Sequence, residues 1–205
     1  MAPLTPADAE TFERCMAVDG VAVFPADTVY GLACDPASKE GMRRLYALKR
    51  RRPDQPAAVL FFQPALALAA LPELGPRTRD ALLALLPGPV TLLLANPAAR
   101  FGLACAADTA VLGLRVPALG PAAAALEAVR WPVLQSSANL AGEPEARRLS
   151  DVDASIRGGA DLLLDGGELP GVASTIVDLT RYEDTGGWRV VREGALPAAA
   201  IAARL

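Results

Sequence analysis

Two short polar segments carry the side chains best suited to chemistry. Lys49-Arg50-Arg51-Arg52 sets four cations in a row, and Ser136-Ser137-Ala138-Asn139 places hydroxyl and amide groups directly after an apolar run. Cations spaced this way suit a phosphate or carboxylate, because arginine offers a planar fork and lysine a compact point charge. Small polar groups at a strand end sit where open α/β sheets usually place ligands, although the same residues are ordinary turn formers. Basic residues in the last turn of a helix also complement its dipole, so the run at 49–52 taken alone reads as a solvated helix end. Of the 20 basic residues only Lys39 and Lys49 are lysines, which singles out Lys49 within that run.

Several chemistries are excluded at once. The chain has no histidine, which removes the commonest general base and metal ligand and rules out a Ser-His-Asp hydrolase. Cys15, Cys34 and Cys105 are odd in number, far apart and in no metal-binding spacing, so they read as core or near-surface thiols with no metal site. Neither a G-x-x-x-x-G-K-[ST] loop nor a strand-linked G-x-G-x-x-G is present, so a bound nucleotide is held in another way. A net charge of -3 argues against gripping nucleic acid by bulk charge and leaves only a local basic pocket open.

The elements that must position these groups alternate between strand and helix. Thr5-Pro6-Ala7-Asp8 reads as a helix cap, with Ala9, Phe12 and Met16 following at helical spacing toward Asp19-Gly20. Val21–Phe24 predicts a strand that Pro25–Gly31 breaks into a loop. Ser38 caps a second helix, with Met42, Leu45 and Tyr46 on one face, which delivers the basic run at its end. Pro76–Leu86 predicts a helix and Pro197–Leu205 a short closing one. Further strands are expected at 57–62, 90–95, 111–116, 133–135, 162–164, 175–179 and 188–191. Seven or more strands with interspersed helices imply a mixed sheet with helices packed on it. The 205 residues, 52% hydrophobic, suit one domain over 1–205, and no boundary or repeat interrupts them. With no signal-like start and no apolar run near 20 residues, the expectation is a cytoplasmic protein without a membrane partner.

In their order these segments resemble the YrdC-like threonylcarbamoyl-AMP synthases. The resemblance runs from Val21 to Pro197 and rests on the loop 24–32, Leu48–Arg51, Pro87–Thr91, Leu112–Pro117, Ser136–Pro144, Ser174–Asp178 and Val191–Gly194. It implies an α/β fold, a twisted mixed sheet with flanking helices around a concave basic cleft. It also implies a nucleotidyltransferase that converts ATP, bicarbonate and L-threonine into threonylcarbamoyl-AMP and pyrophosphate. The product would pass to tRNA-modifying proteins that complete a modified adenosine, so this chain needs no tight direct nucleic-acid binding of its own.

Carried over by the resemblance, the K-x-R and S-x-N pattern falls on Lys49, Arg51, Ser137 and Asn139, which would contact the nucleotide phosphates, with Lys49 and Arg51 as the catalytic cations. Arg192 would contact ATP, while Arg115, Ser174 and Thr28 would hold the threonine. Mg²⁺ would come with the ATP, held mainly by phosphates and water.

Five positions depart from the family pattern, one of them Arg52 in place of the usual proline. Ala26 replaces a threonine expected to bond the amino acid, Val111 a threonine near the nucleotide, Glu145 a small hydroxyl residue, and Gln55 a lysine or asparagine. Each lost contact is worth on the order of 1 kcal/mol. Two alternatives therefore stay open: a YrdC-like paralogue that adenylates or carbamoylates a different acceptor, and a non-enzymatic RNA-binding module. Only 5% of residues are aromatic, which weighs against the second, because single-strand binders need stacking platforms.

Overall fold

In the computed structural model, which describes residues 2–205, the first helix α1 (Pro6–Ala17) begins with a capping box. Thr5 Oγ1 accepts from the Asp8 amide while the Asp8 carboxylate accepts from the Thr5 amide, and Pro6 sits at the first helical position. Its inner face carries Ala9, Phe12, Cys15 and Met16, all buried. Helix α2 (Lys39–Lys49) starts where Ser38 Oγ accepts from the Gly41 amide at 2.8 Å. Helices α3 (Pro64–Ala70) and α4 (Pro76–Leu85) follow, and α8 (Ala198–Ala202) closes the chain. Between them, α5 (Gly102–Cys105), α6 (Ala154–Gly159) and α7 (Tyr182–Thr185) are single short turns of helix.

The strands are β1 (Ala22–Pro25), β2 (Tyr30–Cys34), β3 (Ala58–Leu60), β4 (Val90–Ala95), β5 (Val111–Arg115), β6 (Val133–Ser137), β7 (Leu162–Leu163), β8 (Thr175–Asp178) and β9 (Arg189–Arg192). They form one mixed sheet in the order β7-β1-β2-β6-β3-β5-β4-β8-β9. The pairs β1/β7, β3/β5 and β4/β8 are parallel, and the other five are antiparallel. This is the α/β architecture with flanking helices that the segment order implies.

Strand β2 was hidden in the sequence. Tyr30-Gly31-Leu32-Ala33-Cys34 is short of β-branched residues and follows a loop signal, so it reads as a continuation of that loop. Pairing on both sides, with β1 and β6, makes it a strand.

Alternation along the strands divides the sheet into two faces. Leu92, Leu94, Leu112, Leu114, Leu134 and Val177 point into the larger apolar cluster, beside Leu82 and Leu85 of α4. On the other face, Phe24, Ala33, Leu60 and Val133 pack with Phe12 and Met16 of α1. Both faces of β1 are thus covered, which is why Val21–Phe24 is an unbroken apolar run. That second apolar cluster covers only the end of the sheet near β1. Toward β5, β4 and β8 the same face carries Thr91, Leu93, Gly113, Gln135 and Ile176, and there it is left open as a cavity.

Candidate functional site

The end of α2 explains the spacing of the basic segment. Arg50 adopts the left-handed conformation (φ 51°, ψ 37°), and the Arg51 amide donates back to the Tyr46 carbonyl at 2.9 Å. This Schellman-type stop ends the helix with Lys49 on its buried face and folds Arg51 back over Tyr46 on that same face, so both cations reach the segment 136–139. The Arg51 guanidinium lies over the Tyr46 ring, 5.5 Å from its centroid, and donates to Ser136 Oγ at 2.8 Å and to the Pro56 carbonyl.

Lys49 is 3% exposed. Its ammonium donates to the Ser137 carbonyl, to the Asn139 carbonyl at 2.7 Å and to Asn139 Oδ1 at 3.1 Å. Ser137 Oγ donates to the same Asn139 Oδ1 at 2.5 Å, and Asn139 Nδ2 donates to the Glu143 carbonyl at 2.5 Å. The two segments found separately in the sequence are therefore one bonded unit, with the lysine at its centre. Burial is the main cause that lowers Lys49 from 10.5 to about 8; the Arg51 charge adds to it and Glu145 opposes it. The three acceptor oxygens also favour the protonated form.

A cavity of about 480 Å³ opens beside this unit. Arg51, Arg115, Arg192, Ser137 and Ser174 all line it, so five of the eight residues singled out by the sequence face one cavity. Lys49, Asn139 and Thr28 do not line it; they sit behind, holding groups that do. Three arginines face two carboxylates, Asp108 and Glu145, so the cleft is cationic by a narrow margin.

Arg115 ends β5 and is almost fully enclosed. It donates to Asp27 Oδ1 at 2.6 Å and to Thr28 Oγ1 at 3.2 Å, and its Nε has no partner. Burial depresses the guanidinium and raises the Asp27 carboxyl, each partly offset by the partner's charge. The Ser174 hydroxyl pairs with Thr91 Oγ1 at 2.9 Å, and the Ser174 carbonyl accepts from Arg192 at 2.7 Å. Leu93, Val111, Ile176 and Val191 form an apolar stretch of the lining.

Of the five departures, Arg52 is exposed and pairs with Asp54, and Val111 and Glu145 line the cavity. Ala26 does not: it is 1% exposed and packs in the apolar cluster with Phe24, Phe62 and Leu126. The expectation that this alanine removes a substrate contact is thus corrected, because its side chain points into the core. Gln55 is exposed, and its carbonyl accepts from the Tyr46 hydroxyl at 2.7 Å. Asp27, Thr91 and Gln135 were not singled out. Thr91 is a polar side chain within an otherwise apolar strand, and Gln135 is where β6 turns from apolar to polar; those were the available signals.

A family model described as Telomere recombination, for Sua5, YciO and YrdC, matches residues 14–194. The chain belongs to the Sua5/YciO/YrdC family. One relative, a threonylcarbamoyl-AMP synthase of Xanthomonas campestris pv. campestris, is 35% identical over 178 residues, covering 83% of this chain and 91% of the relative. The Sua5 protein of P. abyssi complexed with L-threonine superposes with a TM-score of 0.85 at 23% identity, over 98% of this chain; the chain spans 58% of its length. The YciO protein of E. coli superposes with a TM-score of 0.80 at 23% identity, over 98% of this chain and 95% of that one. At these identities the two structures speak to the shared fold. Among the described residues, no helix of this Sua5/YciO/YrdC protein is long and apolar enough to cross a membrane.

Proposed function

We propose that this protein is an L-threonylcarbamoyladenylate synthase, forming threonylcarbamoyl-AMP and pyrophosphate from ATP, bicarbonate and L-threonine. The observation that supports it best is the convergence of Arg51, Ser137, Arg115, Ser174 and Arg192 on one cavity beside an apolar stretch.

In this reading the amino group of threonine and bicarbonate give a carbamate with loss of water. A carbamate oxygen then attacks the α-phosphorus, the bond to the bridging oxygen breaks, and that oxygen leaves with pyrophosphate. The protein's part is to bring anions together and stabilise charge as it moves to the leaving group. Arg51, Ser137 and the Lys49 charge behind them serve the phosphates, where fixed cations in a shielded cleft act most strongly. Arg192 reaches the nucleotide from the opposite side, and the apolar residues receive the base. Arg115, pinned by Asp27 and Thr28, offers its fork to the threonine carboxylate, and Ser174 its hydroxyl.

Mg²⁺ on the ATP would neutralise charge on the departing pyrophosphate. Asp108, the exposed carboxylate of the lining, is a hard oxygen donor that would suit such an ion, with phosphate oxygens and water as its remaining ligands. Cys15 and Cys34 stay protonated at neutral pH, burial pushing them up to about 11 and about 12, so neither supplies a thiolate nucleophile. The product would pass to tRNA-modifying proteins.

The test is pyrophosphate release with ATP, Mg²⁺, bicarbonate and each of several amino acids. Release only with threonine supports the proposal, and no release with any amino acid refutes it. Release with another amino acid would favour a paralogue, a reading prompted by Val111 and Glu145 in the lining.

A further inference from the structure

Glu145 is the group in the cavity that the phosphate and carboxylate chemistry above does not use. It lines a space whose other deep charges are cationic, yet its carboxylate makes no hydrogen bond or ion pair among the described residues, and its Oε2 is buried without a partner. Buried carboxylate oxygens are rarely left so, because the desolvation goes uncompensated. The other carboxylate of the lining, Asp108, is exposed and already accepts from the Ala110 amide at 3.1 Å.

Arg115 shows the opposite deficit in the same cavity. Its Nη2 is committed to Asp27 and Thr28, its Nε is unpartnered, and it does not pair with Glu145. A carboxylate and a guanidinium that face one space without meeting are matched by a ligand carrying both signs. A phosphate would be repelled at Glu145, and a simple carboxylic acid would leave it unsatisfied.

We infer that Glu145 receives the α-ammonium or α-amine of the acceptor amino acid while Arg115 receives its α-carboxylate, so that the two residues together read the zwitterion. This rests on the synthase reading of the cavity and adds to it a residue that fixes the attacking nitrogen. Glu145 then selects for amino acids over the corresponding hydroxy acids. It leaves side-chain choice to the rest of the wall.

The experiment is calorimetric titration of the wild type and of Glu145→Gln with L-threonine, with 2,3-dihydroxybutyrate, in which a hydroxyl replaces the amine, and with ATP·Mg²⁺. The wild type should prefer threonine by at least tenfold. Glu145→Gln should weaken threonine tenfold or more, leave the dihydroxy acid and ATP·Mg²⁺ within about twofold, and so erase the preference. A merely structural role for Glu145 would lower thermal stability or weaken all three ligands together, and that result overturns the inference. So does a selective loss of ATP·Mg²⁺ affinity, which would put the carboxylate on the metal ion. Wild-type protein that binds no amino acid also overturns it. Amino-acid binding that follows the predicted pattern without pyrophosphate release would sink the synthase reading and leave the Glu145 assignment standing.

Discussion

Replacing Lys49 with methionine separates its two roles, because methionine keeps an unbranched apolar stem and removes only the ammonium. The drop of Lys49 from 10.5 to about 8 corresponds to about 3 kcal/mol against the charged form, and the substitution relieves it. Against this, the carbonyls of Ser137 and Asn139 lose a donor, at about 1 kcal/mol each. Asn139 Oδ1 keeps the bond from Ser137 Oγ. The two sides nearly cancel, so Lys49→Met should unfold in urea within about 1–2 kcal/mol of the wild type. Nucleotide binding has no such compensation: a fixed cation just behind the wall is worth about 1–2 kcal/mol to a bound phosphate at an effective dielectric of about 20, so its loss raises the ATP Kd roughly 5- to 30-fold. Calorimetric titration with ATP beside urea unfolding reads both. Unchanged ATP affinity in a stable Lys49→Met protein would refute the phosphate role. A loss of several kcal/mol in stability would instead make the lysine a structural pin.

The same lysine predicts a pH signature. Between about pH 8 and 10.5 the unfolded chain binds the Lys49 proton and the folded one does not, so this group makes stability rise with pH across that window. The difference between wild type and Lys49→Met in urea midpoints should shift in that sense, and a flat difference would contradict it. Asp27→Asn breaks an ion pair whose side chains are 5% and 3% exposed; it should cost about 3–5 kcal/mol in stability and weaken threonine binding more than ATP binding. Ala26→Thr buries a hydroxyl in an apolar cluster, so it should lose about 1–3 kcal/mol in a thermal or urea melt and leave threonine affinity unchanged. Arg50→Gly relieves a left-handed residue at the end of α2 and should gain about 0.5–1 kcal/mol with turnover unaffected.

Much of the site was legible because chemistry and spacing coincide. K-x-R works as a motif because the residue between the two cations takes the left-handed turn, and S-x-N works because Lys49 ties both of its ends. What the sequence hid was depth. Lys49 and Thr28 are buried and bond to Ser137, Asn139 and Arg115, a depth that spacing alone does not show, while Asn139 is only half-buried. Ala26 sits beside Asp27 and Thr28 in one loop, yet it points to the opposite side of the chain, into the core. Strand β2 was lost for a related reason: its identity comes from two neighbours far away in sequence, Ala22–Pro25 and Val133–Ser137, and little from its own residues. Asp27 escaped because its partner, Arg115, lies 88 positions along the chain.

The most direct test of the whole account is to follow isotopically labelled bicarbonate in the presence of ATP, Mg²⁺ and L-threonine. The account predicts a product that carries both the label and the adenylate, formed together with an equal amount of pyrophosphate and abolished when threonine is omitted. Pyrophosphate release without transfer of label to an adenylate, or at the same rate without any amino acid, would contradict it.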